Sequence, residues 1–146
     1  MFRPKNITNF SSQRIVMSKS DELHKAGLRA TLPRKKILQI FEDNETEHFS
    51  AEMIFEKLNE MGEEIGLATV YRVLTQFEEA GLITRNSFES GHAVYEINNG
   101  DHHDHLICLN CGAIIEFVDE GIEEKQAEIA EKYSFEVMDH SLTLFG

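Results

Sequence analysis

Between Leu67 and Gly81 the sequence reads LATVYRVLTQFEEAG, with the apolar residues Val70, Val73, Leu74 and Phe77 at i, i+3, i+4 and i+7. That spacing lines one stripe of a helix and leaves Ala68, Tyr71, Arg72 and Thr75 opposite it, with Thr69 at the helix start. Gly81 supplies the stop. LITRNSF and HAVYEIN follow, and both alternate as strands around a Glu-Ser-Gly turn. Upstream, the pattern predicts a short helix over Asp21 to Ala26 closed by Gly27, and a second over TLPRKKILQIFED. Thr31 is expected to cap this second helix, Pro33 to lie in its first turn, and Ile37, Leu38, Ile40 and Phe41 to face inward. Ser50 is expected to cap a third, carrying Ile54, Phe55, Leu58 and Met61 and ended by Gly62. Helices followed by a hairpin predict a winged helix-turn-helix.

In that fold the second helix of the motif enters the major groove, and its exposed polar side chains reach bases and phosphates. Tyr71 and Arg72 are the candidates, with Thr69 at the helix start. Tyr offers a ring for a thymine methyl and a hydroxyl; Arg bonds guanine bidentately or holds a phosphate. Arg29, Arg34 and Lys35 are placed for backbone or minor-groove contacts. The formal charge of −12 argues superficially against nucleic acid, but it is unevenly spread: residues 1–36 carry +7, residues 37–96 −10 and residues 97–146 −9. A basic entry segment on an acidic body fits a phosphate-facing end. A solvated basic face is the plain alternative, as a solvated helix face is for Tyr71 and Arg72.

From Asn99 onward the pattern predicts a sheet: strands over His102 to Leu109 and Ala113 to Val118, an acidic helix over Ile122 to Tyr133, and a last strand over Phe135 to Phe145. Under fifty residues is small for a self-sufficient core, so dimerisation is the expected route to stability. The polar turn Asn98-Asn99-Gly100 is the expected hinge. The fold class is thus α+β: a winged helix-turn-helix domain at residues 17–98, then a small α/β dimerisation domain at 99–146. Residues 1–16 read as an upstream extension or a cloning scar. No apolar run approaches the roughly 20 residues that span a bilayer. Two cysteines three positions apart make no disulfide framework, which fits a reducing cytoplasm.

The stretch GDHHDHLICLNCG, Gly100 to Gly112, concentrates three histidines, two aspartates and both cysteines. Strand alternation divides them: His103 and His105 share one face, His102 and Asp104 the other, which predicts halves of two sites.

Together GLATVYRVL, HHDHLIC and CxxCG, in this order and spacing, resemble the ferric uptake regulators, bacterial iron-dependent repressors, over Ser20 to Gly146. The resemblance implies metal-driven binding of a homodimer, or a dimer of dimers, to A/T-rich pseudo-palindromic double-stranded DNA operators. It implies that His103 and His105 join His48 and Glu96, with Glu116 as an additional oxygen ligand, in a regulatory site across the hinge. It implies a second site of His102, Asp104, Glu123 and His140. His24 and His92 match no ligand position and are read as surface residues. Imidazole and carboxylate donors suit Fe(II), Mn(II), Co(II) and Zn(II), so the resemblance alone selects Fe2+, with Mn2+ or Co2+ as substitutes. Zinc-, manganese- and peroxide-sensing relatives share the scaffold. Glu96 and Glu116, where peroxide sensors commonly use aspartates, favour metal sensing.

Cys108 and Cys111 form half of a tetrahedral Zn2+ knuckle. A removed tail, a member without structural zinc, a ligand from another chain and a plain reduced turn all remain open. A zinc hydrolase is the competing class. The chain lacks an HExxH motif and a general base apart from the ligands, so a regulator rather than an enzyme is expected.

Overall fold

The computed structural model describes residues 18–87 and 92–146. The upstream segment 1–16, Phe88 and the Glu89-Ser90-Gly91 turn lie outside them. Among the described residues the order is α1 (Lys19–Lys25), α2 (Leu32–Asp43), α3 (Ala51–Glu60), α4 (Leu67–Glu79), β1 (Ile83–Ser87) and β2 (Ala93–Ile97), then β3 (Asp104–Ile107), β4 (Ile114–Phe117), α5 (Glu120–Lys132) and β5 (Thr143–Phe145). The fold is α+β: a winged helix-turn-helix followed by a smaller sheet with one helix.

Local chemistry sets the helix ends. The side chains of Ser18, Ser50 and Asp119 accept hydrogen bonds from the backbone N–H of Asp21, Met53 and Ile122, satisfying donors that have no partner inside the helix. Asp119 therefore starts α5 at Glu120, earlier than the expected Ile122. Thr31 occupies the N-cap position of α2 but makes no capping bond. Pro33 in the first turn removes one of the N–H groups that such a cap would serve. Gly81, at φ 73°, turns the chain from α4 into β1.

The apolar stripes meet in one core: Leu23 of α1, Ile37, Leu38 and Phe41 of α2, Ile54 and Leu58 of α3, and Val70, Leu74 and Phe77 of α4, closed by Ile83 and Tyr95 of the hairpin. Phe41 meets Phe49 edge to face, ring centroids 5.7 Å apart. β1 and β2 are antiparallel with Thr84 opposite Glu96. Phe49 and Tyr95 exchange two backbone hydrogen bonds of 2.8 Å, so the segment before α3 lies along β2. Arg34 ties α2 to α4: Nε and Nη2 donate to Gln76 Oε1 at 3.2 and 2.9 Å, and Nη1 donates to the Arg29 carbonyl at 2.9 Å.

In the second sheet β3 lies between β4, antiparallel, and β5, parallel, with α5 in the crossover. The strands are shorter than their alternation predicts. β3 begins at Asp104 rather than His102, β4 covers Ile114–Phe117, and the expected strand from Phe135 shrinks to Thr143–Phe145. A strand needs a hydrogen-bonding neighbour. Four-residue β3 offers an edge that is met only from Leu142, whose carbonyl accepts from His105 N. Phe135, Val137 and Met138 lie in no strand and stay exposed, and the Phe135 N–H turns back to Ala130 O instead of joining a ladder. The expected hinge is pinned at its start, where Asn98 donates from its backbone N–H to Leu82 O and from Nδ2 to Gly81 O.

Two outcomes follow for stability. Gln76→Ala leaves part of the Arg34 guanidinium unpaired and should cost about 1–2 kcal/mol in denaturant unfolding, whereas Lys35→Ala should stay within about 0.5 kcal/mol. Glu42 lies 3.4 Å from Lys19 Nζ, but burial first, and then the Glu22 carboxyl, push its pKa from 4.5 up to about 7. The native state therefore binds more protons than the unfolded chain between those values, and stability falls as pH rises through that window. Glu42→Gln should raise Tm above pH 7 and lose that advantage at pH 4.5, as melts at the two pH values will show.

Two candidate metal centres and a candidate recognition helix

The Phe49–Tyr95 bridge sets His48 beside Glu96 on β2. From the other side, β3 brings His105, and its antiparallel register puts Glu116 of β4 directly opposite. His103, just before β3, completes the group. His48 Nε2 and His103 Nε2 each lie 2.9 Å from Glu96 Oε2, and His48 Nε2 is 3.3 Å from His105 Nε2. Glu116 Oε1 is 3.5 Å from His48 and 3.8 Å from His103. One ligand atom from each of the five lies within 4.8 Å of all the others.

Glu96 is 4% exposed. Burial alone would raise its pKa, but the neighbouring imidazoles of His105 and His48, the Asn86 amide and the His103 imidazole outweigh it and hold the carboxyl far below the usual carboxylate range. For His103 burial pulls the pKa down, while the hydrogen bond and charge of Glu96, with the charge of Glu116, raise it overall.

A second group forms on the opposite side of β3. His102 Nε2 lies 3.2 Å from Asp104 Oδ1 and 3.3 Å from Glu123 Oε1, and His140 Nε2 lies 3.3 Å from the same Glu123 oxygen. The four donors again lie within 4.8 Å of one another. Asp104 is fully buried, yet among the described residues neither carboxylate oxygen accepts a hydrogen bond, since His102 is near without the geometry for one. A buried carboxylate without a donor is costly. A cation among the two imidazoles and two carboxylates would satisfy it, so both donor sets fit a divalent ion of the iron, manganese or zinc type.

Cys108 and Cys111 flank a turn closed by Gly112 N donating to Cys108 O and Cys108 N donating to Ala113 O, both at 2.9 Å, with Gly112 at φ 73°. The backbone N–H of Cys111, and then of Asn110, hold the Cys108 thiol below its ordinary value. Among the described residues, the groups of three or more metal-capable donors include neither cysteine.

On α4, Tyr71, Arg72 and Thr75 stand on the exposed face, with Thr69 half-buried at its start. Tyr71 Oη donates a short hydrogen bond to Glu52 of α3, which raises the Tyr71 pKa and lowers that of Glu52. Together with Thr75, Glu78, Arg85 and His92 they line a groove of about 390 Å³. Arg29 is exposed and Lys35 half-buried, while three donor nitrogens of Arg34 are held by Gln76 and the Arg29 carbonyl. His24 and His92 are exposed. Sequence reasoning missed Glu52, Gln76 and Asn86. Asn86 shares a hairpin face with Glu96, so a known register would have found it, whereas helix periodicity gives only the exposure of Glu52.

The ferric uptake regulator family model matches residues 25–145. The ferric uptake regulation protein of Legionella pneumophila is 55% identical over 130 residues, 89% of this chain and 96% of the relative. The crystal structure of the Vibrio cholerae ferric uptake regulator matches with a TM-score of 0.82 at 54% identity, covering 87% of this chain and 97% of that one. A Francisella tularensis ferric uptake regulator solved with iron matches with a TM-score of 0.79 at 45% identity, covering 82% and 91%. The chain belongs to the ferric uptake regulator family of metal-responsive transcriptional regulators.

Proposed function

We propose that this chain is an iron-responsive repressor that binds A/T-rich pseudo-palindromic operators as a homodimer when its regulatory cation is in place. Residues 17–98 bind DNA and residues 99–146 dimerise. His48, Glu96, His103, His105 and Glu116 hold the regulatory ion, and His102, Asp104, Glu123 and His140 a second. The observation that carries this reading is the convergence of five donors from both halves of the chain within 4.8 Å, one of them on the hairpin that follows α4. The iron-bound relative supports Fe(II). Intrinsic affinity ranks Zn(II) higher, so availability selects the ion, with Mn(II) or Co(II) as substitutes.

When bound, the ion supplies the positive charge that Glu96 and Glu116 share. The chain's own residues supply the geometry. His48 and Glu96 belong to the DNA-binding half, while His103, His105 and Glu116 belong to the dimerising half, and gathering all five favours one orientation of the halves. In a dimer that orientation sets whether two copies of α4 match half-sites one helical repeat, about 34 Å, apart. Tyr71 and Arg72 then read or anchor the duplex, and Arg29 and Lys35 lie near phosphates.

The dimer is supported by the composition of the second half. α5 has no buried residue, and Ile115, Val118, Ile129, Tyr133, Phe135 and Met138 are exposed. With Gln126, Ala130, Val137 and His140, three of these line an apolar groove of about 400 Å³, the kind of surface that a second copy covers. No helix of the described residues is long and apolar enough to cross a membrane. Donor clusters joined to a reading helix fit a regulator and leave the hydrolase without a function for α4.

Anaerobic fluorescence anisotropy on an A/T-rich palindromic duplex, with Fe(II) or Mn(II) added and then chelated, tests the reading. Tight binding should require metal; equal binding with and without it sinks the proposal. Removing His103 and His105 together by alanine substitution should abolish the metal stimulation. Arg72→Ala should leave metal uptake intact while weakening operator binding by about 1–3 kcal/mol if the guanidinium reads a base, or reducing the salt slope by about one if it holds a phosphate. Unchanged binding removes Arg72 from the interface.

A further inference from the structure

The two oxygens of Glu96 have different partners. Oε2 faces both His48 Nε2 and His103 Nε2 at 2.9 Å. Oε1 accepts a hydrogen bond of 2.7 Å from Asn86 Nδ2 on β1 and lies 3.7 Å from His105 Nε2. This division follows from the hairpin. Thr84 opposes Glu96 and Asn86 opposes Val94, so Asn86 and Glu96 are diagonal neighbours on one face of the sheet. Arg85 and Ser87 point to the other face, and Arg85 there lines the groove that holds Tyr71 and Glu52.

A glutamate's last torsion is broad and roughly two-fold, so the backbone alone does not decide which oxygen Glu96 presents. At 4% exposure water does not decide it either. Among the described residues the amide donor reaching Glu96 is that of Asn86, and it is fixed by strand pairing rather than by the metal donors themselves.

We propose that Asn86 is a positioning residue for the regulatory cation site: its amide holds Glu96 Oε1, so that Oε2 is presented to His48 and His103. This rests on the reading of these five residues as a cation site. It adds that β1, the strand carrying Arg85, is coupled to the state of the site through one hydrogen bond. Partners that orient a metal ligand typically contribute 10–100-fold in affinity when removed.

The test uses Co(II) as the probe, titrated into metal-free full-length protein and followed by its visible absorption, in a His140→Ala background that disables the second cluster. Asn86→Leu removes the amide, and Asn86→Asp keeps the shape while replacing the donor with a carboxylate. Both should weaken Co(II) binding about 10–100-fold and change the intensity or position of the visible bands, a signature that loss of fold stability alone does not produce. Melts of the metal-free proteins identify any variant that fails to fold, and Asn86→Asp carries the test if Asn86→Leu does. Wild-type affinity and spectrum in the folded variant, with His105→Ala abolishing the bands, would overturn the role of Asn86 and leave the site standing. Bands that ignore His105→Ala would overturn the site itself, and the role of Asn86 with it.

Discussion

A carboxylate placed out of reach of water must be stabilised by its surroundings, and in this chain that carboxylate is Glu96. Its charged form is held by three imidazoles and one amide from segments far apart in sequence: His48 ahead of α3, Asn86 on β1, and His103 and His105 at β3. Isolating a charge in a low-dielectric site costs several kcal/mol, so the arrangement persists only while donors from both halves stay together. The Phe49–Tyr95 bridge delivers His48, the hairpin register delivers Asn86, and β3 delivers the other two. The relative placement of the halves and the charge state of one side chain are thus one problem.

The two halves are stabilised differently. The first carries a continuous core in which four helices and a hairpin bury Phe41, Phe49, Phe77 and their aliphatic neighbours. The second buries little beyond Ile107, Asp104 and His105. Two of those three are polar, which makes this half dependent on what meets its donors and covers its apolar face. A second copy and a cation are the proposed answers, and both act by binding the folded form preferentially.

Much of this was legible because periodicity is a local property. The stripe of Val70, Val73, Leu74 and Phe77 and the caps at Ser50 and Gly81 needed no tertiary information. Alternation also sorts His103 with His105 and His102 with Asp104, and the two donor groups divide the same way although His102 and His103 precede the first residue of β3. The last strand is shorter than the sequence suggests because, among the described residues, no strand pairs with 135–142. Partners of Glu96, His48 and Glu116 came from the family resemblance, since no local pattern joins positions that far apart. Asn86, Gln76 and the Glu52–Tyr71 bond were illegible for the same reason: each depends on how two elements cross.

The central claim, that the five donors fix one orientation of the halves, can be tested on the geometry itself. Spin labels at Thr75→Cys on α4 and Glu128→Cys on α5, in a Cys108→Ser/Cys111→Ser background diluted with unlabelled protein, report the distance between the halves by pulsed electron resonance. The account predicts a broad distribution in chelator that collapses to one narrow distance when diamagnetic Zn(II) is added, and no collapse when His105 is also replaced by alanine. The same distribution with and without the ion would contradict it.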